Sequence, residues 1–346
     1  MKHQTTRYGE IPFYKIGTFG NTADAFISKK LFLEYKTKYS FPKKGDILIS
    51  ASGTIGRAVI YDGKPAYFQD SNIVWIDNDE TLVKNDFLFY AYSNVKWNTE
   101  HTTILRLYND NFRNTLIPLP PLNEQIAIAN ILSDVDRYLY SLDALILKKE
   151  SVKKALSFEL LSQRKRLKGF NQAWQRVRLG DIANYLTSNL SVEQITQQGK
   201  IKVYDVNNFI GYTDTTFISD KPYISIVKDG SVGRVRILPP KTNILSTMGA
   251  LIANHKTTTE FLFYLLSNFD FKNFTSGSII PHIYFKDYKE KTIFLPSLNE
   301  QIAIANILSA LDHEIISLKN KKRQFENIKK ALNHDLMSAK IRVLKK

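Results

Sequence analysis

Leu122–Ser133 reads LNEQIAIANILS, and the same twelve residues return unchanged at Leu298–Ser309. The offset is 176 residues, about half of the 346-residue chain. A repeat of that period sets the architecture and has to be explained first. Identity continues downstream, more thinly. Asp136 matches Asp312, Ser141 and Leu142 match Ser317 and Leu318, and KKAL at 153–156 returns at 329–332. In all, 122–168 and 298–344 share 23 of 47 positions.

Each copy reads as a long helix. Pro120 and Pro121 lead into the first, Pro296 and Ser297 into the second. Asn123 and Asn299 are expected to cap them, with Glu124 and Glu300 as acids in the first turn. No Pro or Gly interrupts the first copy before Gly169, and none follows in the second. Apolar residues fall at Leu132, Val135, Leu139, Leu142, Ile146, Leu156 and Leu160, and in the second copy at Leu308, Leu311, Ile315, Leu318, Phe325, Leu332 and Leu336. That is a heptad seam, broken near its middle by Lys149, Lys153, Lys322 and Lys329. It predicts two helices of about 40–45 residues, roughly 60–68 Å long. A chain that alternates domain and helix returns on itself, so the pair should run antiparallel, with Leu139 near Leu311 or Leu318.

The flanking regions repeat only as a skeleton. FLFYAYSN at 87–94 returns as FLFYLLSN at 261–268, and SGTIGR at 52–57 as DGSVGR at 229–234. FGNTADAFIS at 19–28 resembles FIGYTDTTFIS at 209–219. Strand-like runs at Asp46–Ser50, Ala58–Tyr61, Asn72–Ile76, Tyr223–Val227 and Arg234–Leu238 lie between turn signals, and each FLFY run reads as a short core helix. The expected fold is mixed α/β: two α/β domains, 1–119 and 169–295, separated by two long helices, 120–168 and 296–346, that form an antiparallel coiled coil.

Chemistry is sparse. The chain has no Cys, which excludes disulfides, thiolate metal sites and thiol nucleophiles. Its six His fall in no metal-ligand spacing. Gly53 and Gly56 lack the Lys-Ser/Thr of a phosphate loop and read as a tight turn. No G-x-S-x-G elbow is present, and Asn207–Asn208–Phe209 is only a faint echo of a methyltransferase motif. The expectation is a non-enzyme with no cofactor and no metal. Lys and Arg number 48 against 33 Asp and Glu, a net charge of +15, which points to a polyanionic partner. No apolar run is long enough to span a membrane and the N-terminus has no signal-type core, so the expected location is the cytoplasm.

Two variable α/β regions alternate with two near-identical helices, each entered by PPLNEQIAI or PSLNEQIAI. This resembles the DNA-specificity subunit of type I restriction-modification systems, over essentially the whole chain. The resemblance implies that the α/β units are target recognition domains, each reading half of a split double-stranded DNA sequence. It implies that the helices hold them apart, and that the subunit itself does no chemistry. It also implies two methyltransferase subunits as partners, with translocase/nuclease subunits completing the restriction complex. One departure stands out. The second domain opens with Trp174-Gln-Arg-Val-Arg-Leu-Gly-Asp181, which the family usually has in both domains, whereas the first has no counterpart. Aligning Gly9 with Gly199 leaves roughly 16 residues absent before Met1.

Base edges are read chiefly by Arg, Lys, Asn and Gln, and phosphates by Lys and Arg. The candidates are Lys43 and Lys44 (aligned with Asp220 and Lys221), Thr54 and Arg57 in the first glycine turn, and Ser231 and Arg234 in the second. Arg106, which aligns with His282, completes the set. For any single one of these the alternative is a solvated charge. Tyr67, Phe68 and Gln69 could form a reading loop but are expected in the core. The basic run from Lys319 to Lys346 either covers the DNA spacer or solubilises the helix. Coiled-coil packing alone would not hold Asn123, Glu124, Gln125 and Asn130 identical to Asn299, Glu300, Gln301 and Asn306. These are the candidate methyltransferase interface; recent duplication is the competing explanation. A coiled-coil adaptor for protein partners is the second functional reading, and a membrane-surface helix, lacking an aromatic apolar face, is the third.

Overall fold

The structure is a computed structural model and describes residues 4–69, 72–97 and 106–344. Lys345 and Lys346 of the basic run lie outside the described residues. The chain divides into two compact units: Met1–Asp143 with Asn320–Lys346, and Ala144–Lys319. Each unit thus holds one α/β domain and one half of each long helix.

In unit 1, β1 (Ile11–Tyr14) pairs antiparallel with β2 (Ala25–Ile27) and parallel with β5 (Tyr67–Phe68). Helix α1 (Lys29–Lys38) follows β2 and is capped by the Ser28 hydroxyl, which accepts the Leu31 N–H at 3.2 Å. The second sheet has β3 (Ile47–Ser50) between β4 (Ala58–Ile60) and β6 (Ile73–Trp75), all antiparallel. All four residues of β3 are buried, which is why it reads as an apolar run rather than an alternation. Helix α2 (Asn85–Tyr92) carries the FLFY residues into the core, and Phe87, Leu88 and Tyr90 are buried. α3 (Asn109–Arg113) precedes the long helix α4 (Leu122–Leu161). Tyr67, Phe68 and Gln69 are half-buried, and the Gln69 Oε1 accepts the Ile16 N–H at 3.1 Å, so this is sheet rather than reading loop.

Unit 2 repeats the plan with additions. β9 (Ile201–Tyr204) pairs antiparallel with β10 (Phe209–Thr213) and parallel with β13 (Asn243–Ile244). β11 (Tyr223–Val227) lies between β12 (Val235–Leu238) and β14 (Met248–Ala253), and β14 carries a fourth strand, β8 (Ala183–Thr187). Helix α5 (Thr259–Ser267) is the second FLFY helix. Two short ladders join β15 (Thr275–Ser276) to β16 (His282–Ile283), and β7 (Gln175–Arg178) to β17 (Thr292–Leu295). α6 (Phe285–Tyr288) separates β16 from β17, and α7 (Leu298–Met337) ends the fold.

The long helices run antiparallel. In unit 1, Asp136, Tyr138 and Asp143 of α4 meet Lys329, Phe325 and Lys322 of α7. In unit 2, Lys149 and Lys153 meet Glu314 and Asp312, and Glu150 meets Lys319. Numbers rise on one helix as they fall on the other. The register differs from the sequence expectation: Phe325 packs on Tyr138, ring centroids 4.6 Å apart, so the neighbourhood of Leu139 faces Phe325 rather than Leu311 or Leu318. All four seam lysines pair with acids of the opposite helix at 2.5–2.7 Å. Part-exposed pairs of this kind contribute about 0.2–1 kcal/mol each, so they select register more than they add stability. Because the chain has no Cys, Tyr138→Cys with Phe325→Cys is a clean test. We expect an oxidative cross-link within one molecule, seen as a mobility shift without dimer on non-reducing gels; a predominantly intermolecular product would contradict the register.

Both units share a clamp. Tyr90 donates to Asp136 and Tyr264 to Asp312, each at 2.8 Å. Each Asp also meets a Lys from the other copy of the helix repeat, Lys329 and Lys153, at 2.5 Å. These lysines lie over the Tyr90 and Tyr264 rings at 5.6 and 5.7 Å. Burial first, and the adjacent carboxylate second, hold both phenols above their ordinary range. The helix starts differ from expectation. The Gln125 N–H donates to the Pro121 carbonyl at 3.0 Å and the Gln301 N–H to that of Ser297 at 2.9 Å. The helices therefore begin a residue before Asn123 and Asn299, which sit inside the first turn instead of capping it. At the other end, Gln163 (φ 62°) and Ala339 (φ 56°) take the left-handed conformation at equivalent positions, so both helices stop short of 168 and 346.

Candidate nucleic-acid interface and partner face

The glycine turns connect β3 to β4 and β11 to β12. Gly56 (φ 80°) and Gly233 (φ 81°) adopt a conformation that disfavours other residues. A Cβ would also meet Trp97 at 2.2 Å in the first turn and Phe271 at 2.6 Å in the second. An aromatic wedge thus replaces a side chain in both, a contact that sequence reading did not find. Its only signal would have been an aromatic in the weakly aligned stretch after each FLFY helix.

The turns meet the segment before α3 or α6. Ser52 forms an isolated antiparallel bridge with Arg106, and Asp229 forms one with His282. The Leu107 N–H donates to the Ala51 carbonyl at 2.8 Å and the Ile283 N–H to that of Lys228 at 2.9 Å. Arg106 and His282 are therefore structural twins, each beside its own glycine turn, and sequence alignment found both. Their side chains differ in use. The His282 Nδ1 lies 2.7 Å from the Asp229 Oδ1, and its ring stacks on Tyr284. The Arg106 guanidinium lies over Tyr108 at 6.0 Å. Thr54, Arg57, Ser231 and Arg234 are exposed on the turns themselves.

The two turn arginines have an internal task as well. The Arg57 Nη1 donates to the Phe19 carbonyl at 2.9 Å, and the Arg234 Nη2 to the Asn207 Oδ1 at 2.7 Å. Each ties its turn to the loop before β2 or β10, which alone gives a reason for an arginine at both places. Lys43, Lys44 and Lys221 lie apart from this group. They precede β3 and β11, whereas the turns follow those strands, so they sit at the opposite strand end. Lys43 pairs with Asp77 at 3.1 Å, Lys44 packs along Gly63, and the Lys221 N–H donates to the Ser219 Oγ.

The repeated helix motif splits into two sets. Gln125 is buried; its Oε1 accepts the Lys84 N–H at 2.8 Å and its Nε2 donates to the Leu82 and Pro120 carbonyls. Gln301 is buried likewise. Its Oε1 accepts from the Thr257 hydroxyl and the Thr258 N–H, and its Nε2 donates to the Lys256 and Pro296 carbonyls. Glu300 takes Arg166 in a two-pronged pair at 2.8 and 2.9 Å and the Trp174 indole N–H at 3.0 Å. Glu124 is buried with Arg342 at 3.6 Å. This is a correction to the candidate interface: Glu124, Gln125, Glu300 and Gln301 face inward and bind their own unit, so their identity in both copies has an internal cause. The outward set is Asn123 and Asn130 with Leu122 and Ile126, and Asn299 and Asn306 with Leu298 and Ile302. Ile126 is 46% exposed and Ile302 47%. The four residues lie on one face by their spacing.

Comparison with known proteins agrees with this architecture. The model of the type I restriction modification DNA specificity domain matches residues 1–149 and 171–327. A type I restriction enzyme specificity subunit of Haemophilus influenzae is 65% identical over 133 residues, which is 38% of this chain and only 34% of that relative. The MjaX specificity subunit of Methanocaldococcus jannaschii is 30% identical over 338 residues, covering 86% of this chain and 79% of its own. Among solved structures, the type I restriction-modification S subunit from M. genitalium superposes with a TM-score of 0.64 at 21% identity, over 97% of this chain and 91% of that one, a likeness of fold. With two matched domains and a relative covered over most of its length, the chain belongs to the type I restriction-modification DNA specificity family.

Proposed function

We propose that the chain is the non-catalytic subunit that directs a type I methyltransferase/restriction complex to an asymmetric, bipartite DNA target. The observation that carries this reading is the twinned reading end. One backbone frame, turn plus bridged residue, is built twice, yet it presents Arg106 in one unit and His282 in the other. A shared frame with different side chains suits two domains that read different half-sites. Thr54 and Arg57 join Arg106, and Ser231 and Arg234 join His282. The net charge of +15 supplies the sequence-independent attraction to phosphates. We place its site of action in the cytoplasm, in keeping with the fact that no helix of the described residues is long and apolar enough to cross a membrane.

The outward face Leu122, Asn123, Ile126 and Asn130, repeated at Leu298, Asn299, Ile302 and Asn306, supports one methyltransferase subunit per copy, two per chain. Translocase/nuclease subunits would join that assembly. The half-site centres are proposed to lie about one helical turn apart, roughly 10 bp, leaving an unread spacer of about 5–8 bp. Co-expression with the methyltransferase and long-read mapping of genomic methylation tests the proposal. A split, non-palindromic motif is expected. Arg106→Ala should relax only the half read by unit 1, costing about 1–3 kcal/mol of discrimination there. A continuous or palindromic motif, or equal relaxation of both halves, would count against it.

A further inference from the structure

Asp229 and His282 sit in a hydrogen-bonded backbone frame. The Gly230 N–H donates to the Pro281 carbonyl and the Ile283 N–H to that of Lys228, both at 2.9 Å, on either side of the Asp229–His282 bridge. The His282 ring is held as well. It stacks on Tyr284 with an angle of 21° between the planes, and its Nδ1 lies 2.7 Å from the Asp229 Oδ1. An ionised carboxylate only accepts, so Nδ1 carries the proton of that bond. The Lys228 ammonium stands 3.8 Å from the other oxygen, Asp229 Oδ2, and balances the carboxylate without a charge on the ring. The neutral ring then has its lone pair on Nε2.

The Nε2 edge is open. Among the described residues none bonds to Nε2. Gly277 (φ 90°) passes beside the neighbouring ring atom, and a Cβ there would lie 3.1 Å from the His282 Cδ2. The glycine therefore leaves this edge uncovered. The frame of unit 1 has no acid at the matching place. Ser52 stands where unit 2 has Asp229, and its hydroxyl donates to the Asn72 Oδ1 at 2.9 Å. Across that bridge is Arg106, whose guanidinium only donates and has no tautomer to set. The carboxylate accompanies the imidazole and not the arginine.

We propose that Asp229 is a positioning residue that fixes His282 Nε2 as a hydrogen-bond acceptor, so that unit 2 reads an exocyclic amino group at one position of its half-site. The inference rests on His282 facing a base edge, as in the function proposed above. In the major groove the amino group belongs to adenine (N6) or cytosine (N4), and guanine and thymine carry a carbonyl oxygen in the same place. A lone pair on Nε2 attracts the first two and repels the others. The choice thus falls between a base and its transition partner, A against G or C against T.

The test is the methylation motif of the complex assembled with its methyltransferase, mapped by long-read sequencing for the parent and two variants. In Asp229→Asn the amide donates to Nδ1 as readily as it accepts from it. That releases the tautomer and lets Nε2 carry the proton. Methylation of sites with the transition base at one position of the unit 2 half should then rise about fivefold or more, with every other position as selective as in the parent. His282→Ala marks that position independently by relaxing it. Should His282→Ala relax a position that Asp229→Asn leaves as selective as in the parent, the tautomer role is overturned while the reading by His282 stands. Should His282→Ala change no position, that reading falls and this inference with it. Relaxation of several positions by Asp229→Asn would make Asp229 a structural prop and overturn the proposal.

Discussion

Replacing Gln301 by Ala is expected to destabilise unit 2 by about 3 kcal/mol. The amide is fully buried and makes four hydrogen bonds, to Thr257, Thr258, Lys256 and Pro296, at 2.9–3.0 Å. Truncation leaves these partners buried without their bonds and opens a void, and water cannot enter freely to compensate. One of the partners is the N–H of Thr258, the residue that caps helix α5, so the loss reaches the FLFY helix as well. Asn306→Ala, five residues on but exposed, should stay within about 0.5 kcal/mol of the parent. Urea denaturation followed by far-ultraviolet circular dichroism measures both. Similar shifts for the two variants would refute the division of the motif into inward and outward sets.

The second large effect concerns assembly. Ile126→Asp and Ile302→Asp each place a carboxylate in the middle of an exposed apolar and amide face. A charge buried without a partner at the centre of an interface typically costs 2 kcal/mol or more, roughly thirtyfold in affinity. Native mass spectrometry with saturating methyltransferase should therefore give two bound subunits for the parent, one for either single variant and none for the double. Both isoleucines are already half in solvent, so the free chain should keep its stability. Retention of two subunits by the double variant would move the partner site elsewhere. A single subunit on the parent chain would contradict the twofold assembly.

Much of the fold is legible in the sequence, because its strongest signals are periodic or repeated. The heptads of Leu132 to Leu160 and Leu308 to Leu336 need only a count of spacings, and the buried strands Ile47–Ser50 and Tyr223–Val227 are continuous apolar runs. Helix register was not legible. It depends on lysines in the seam finding acids on the partner helix, and sequence spacing does not reveal such pairs. The short strands of the β1 and β9 sheets also escaped, since three or four residues such as Ala25–Ile27 carry too little alternation to stand out. For the candidate site, aligning the halves found Arg106 and His282. It could not show that each is bridged to a turn more than fifty residues earlier. Glu124 and Gln125 misled for a physical reason: long polar side chains read as surface until their partners are known, and here those partners are the Arg342 guanidinium for Glu124 and backbone groups of Leu82, Lys84 and Pro120 for Gln125.

The division of each long helix between the two units also has a consequence for the order of synthesis. Unit 2 is contiguous, Ala144–Lys319, so every residue it needs is present once Lys319 has left the ribosome. Unit 1 is not. Its α/β domain and the first half of α4 are complete at Asp143, but Lys329, Leu336 and Met337, which pair with Asp136 and close its core, are made last. At ~5–20 residues per second, the first domain waits roughly 10–40 s, exposing the apolar face of Ile128 and Leu132, before its closing helix exists. The half of the protein that is born first is therefore the half that finishes last, and during that interval it is the natural client for a chaperone.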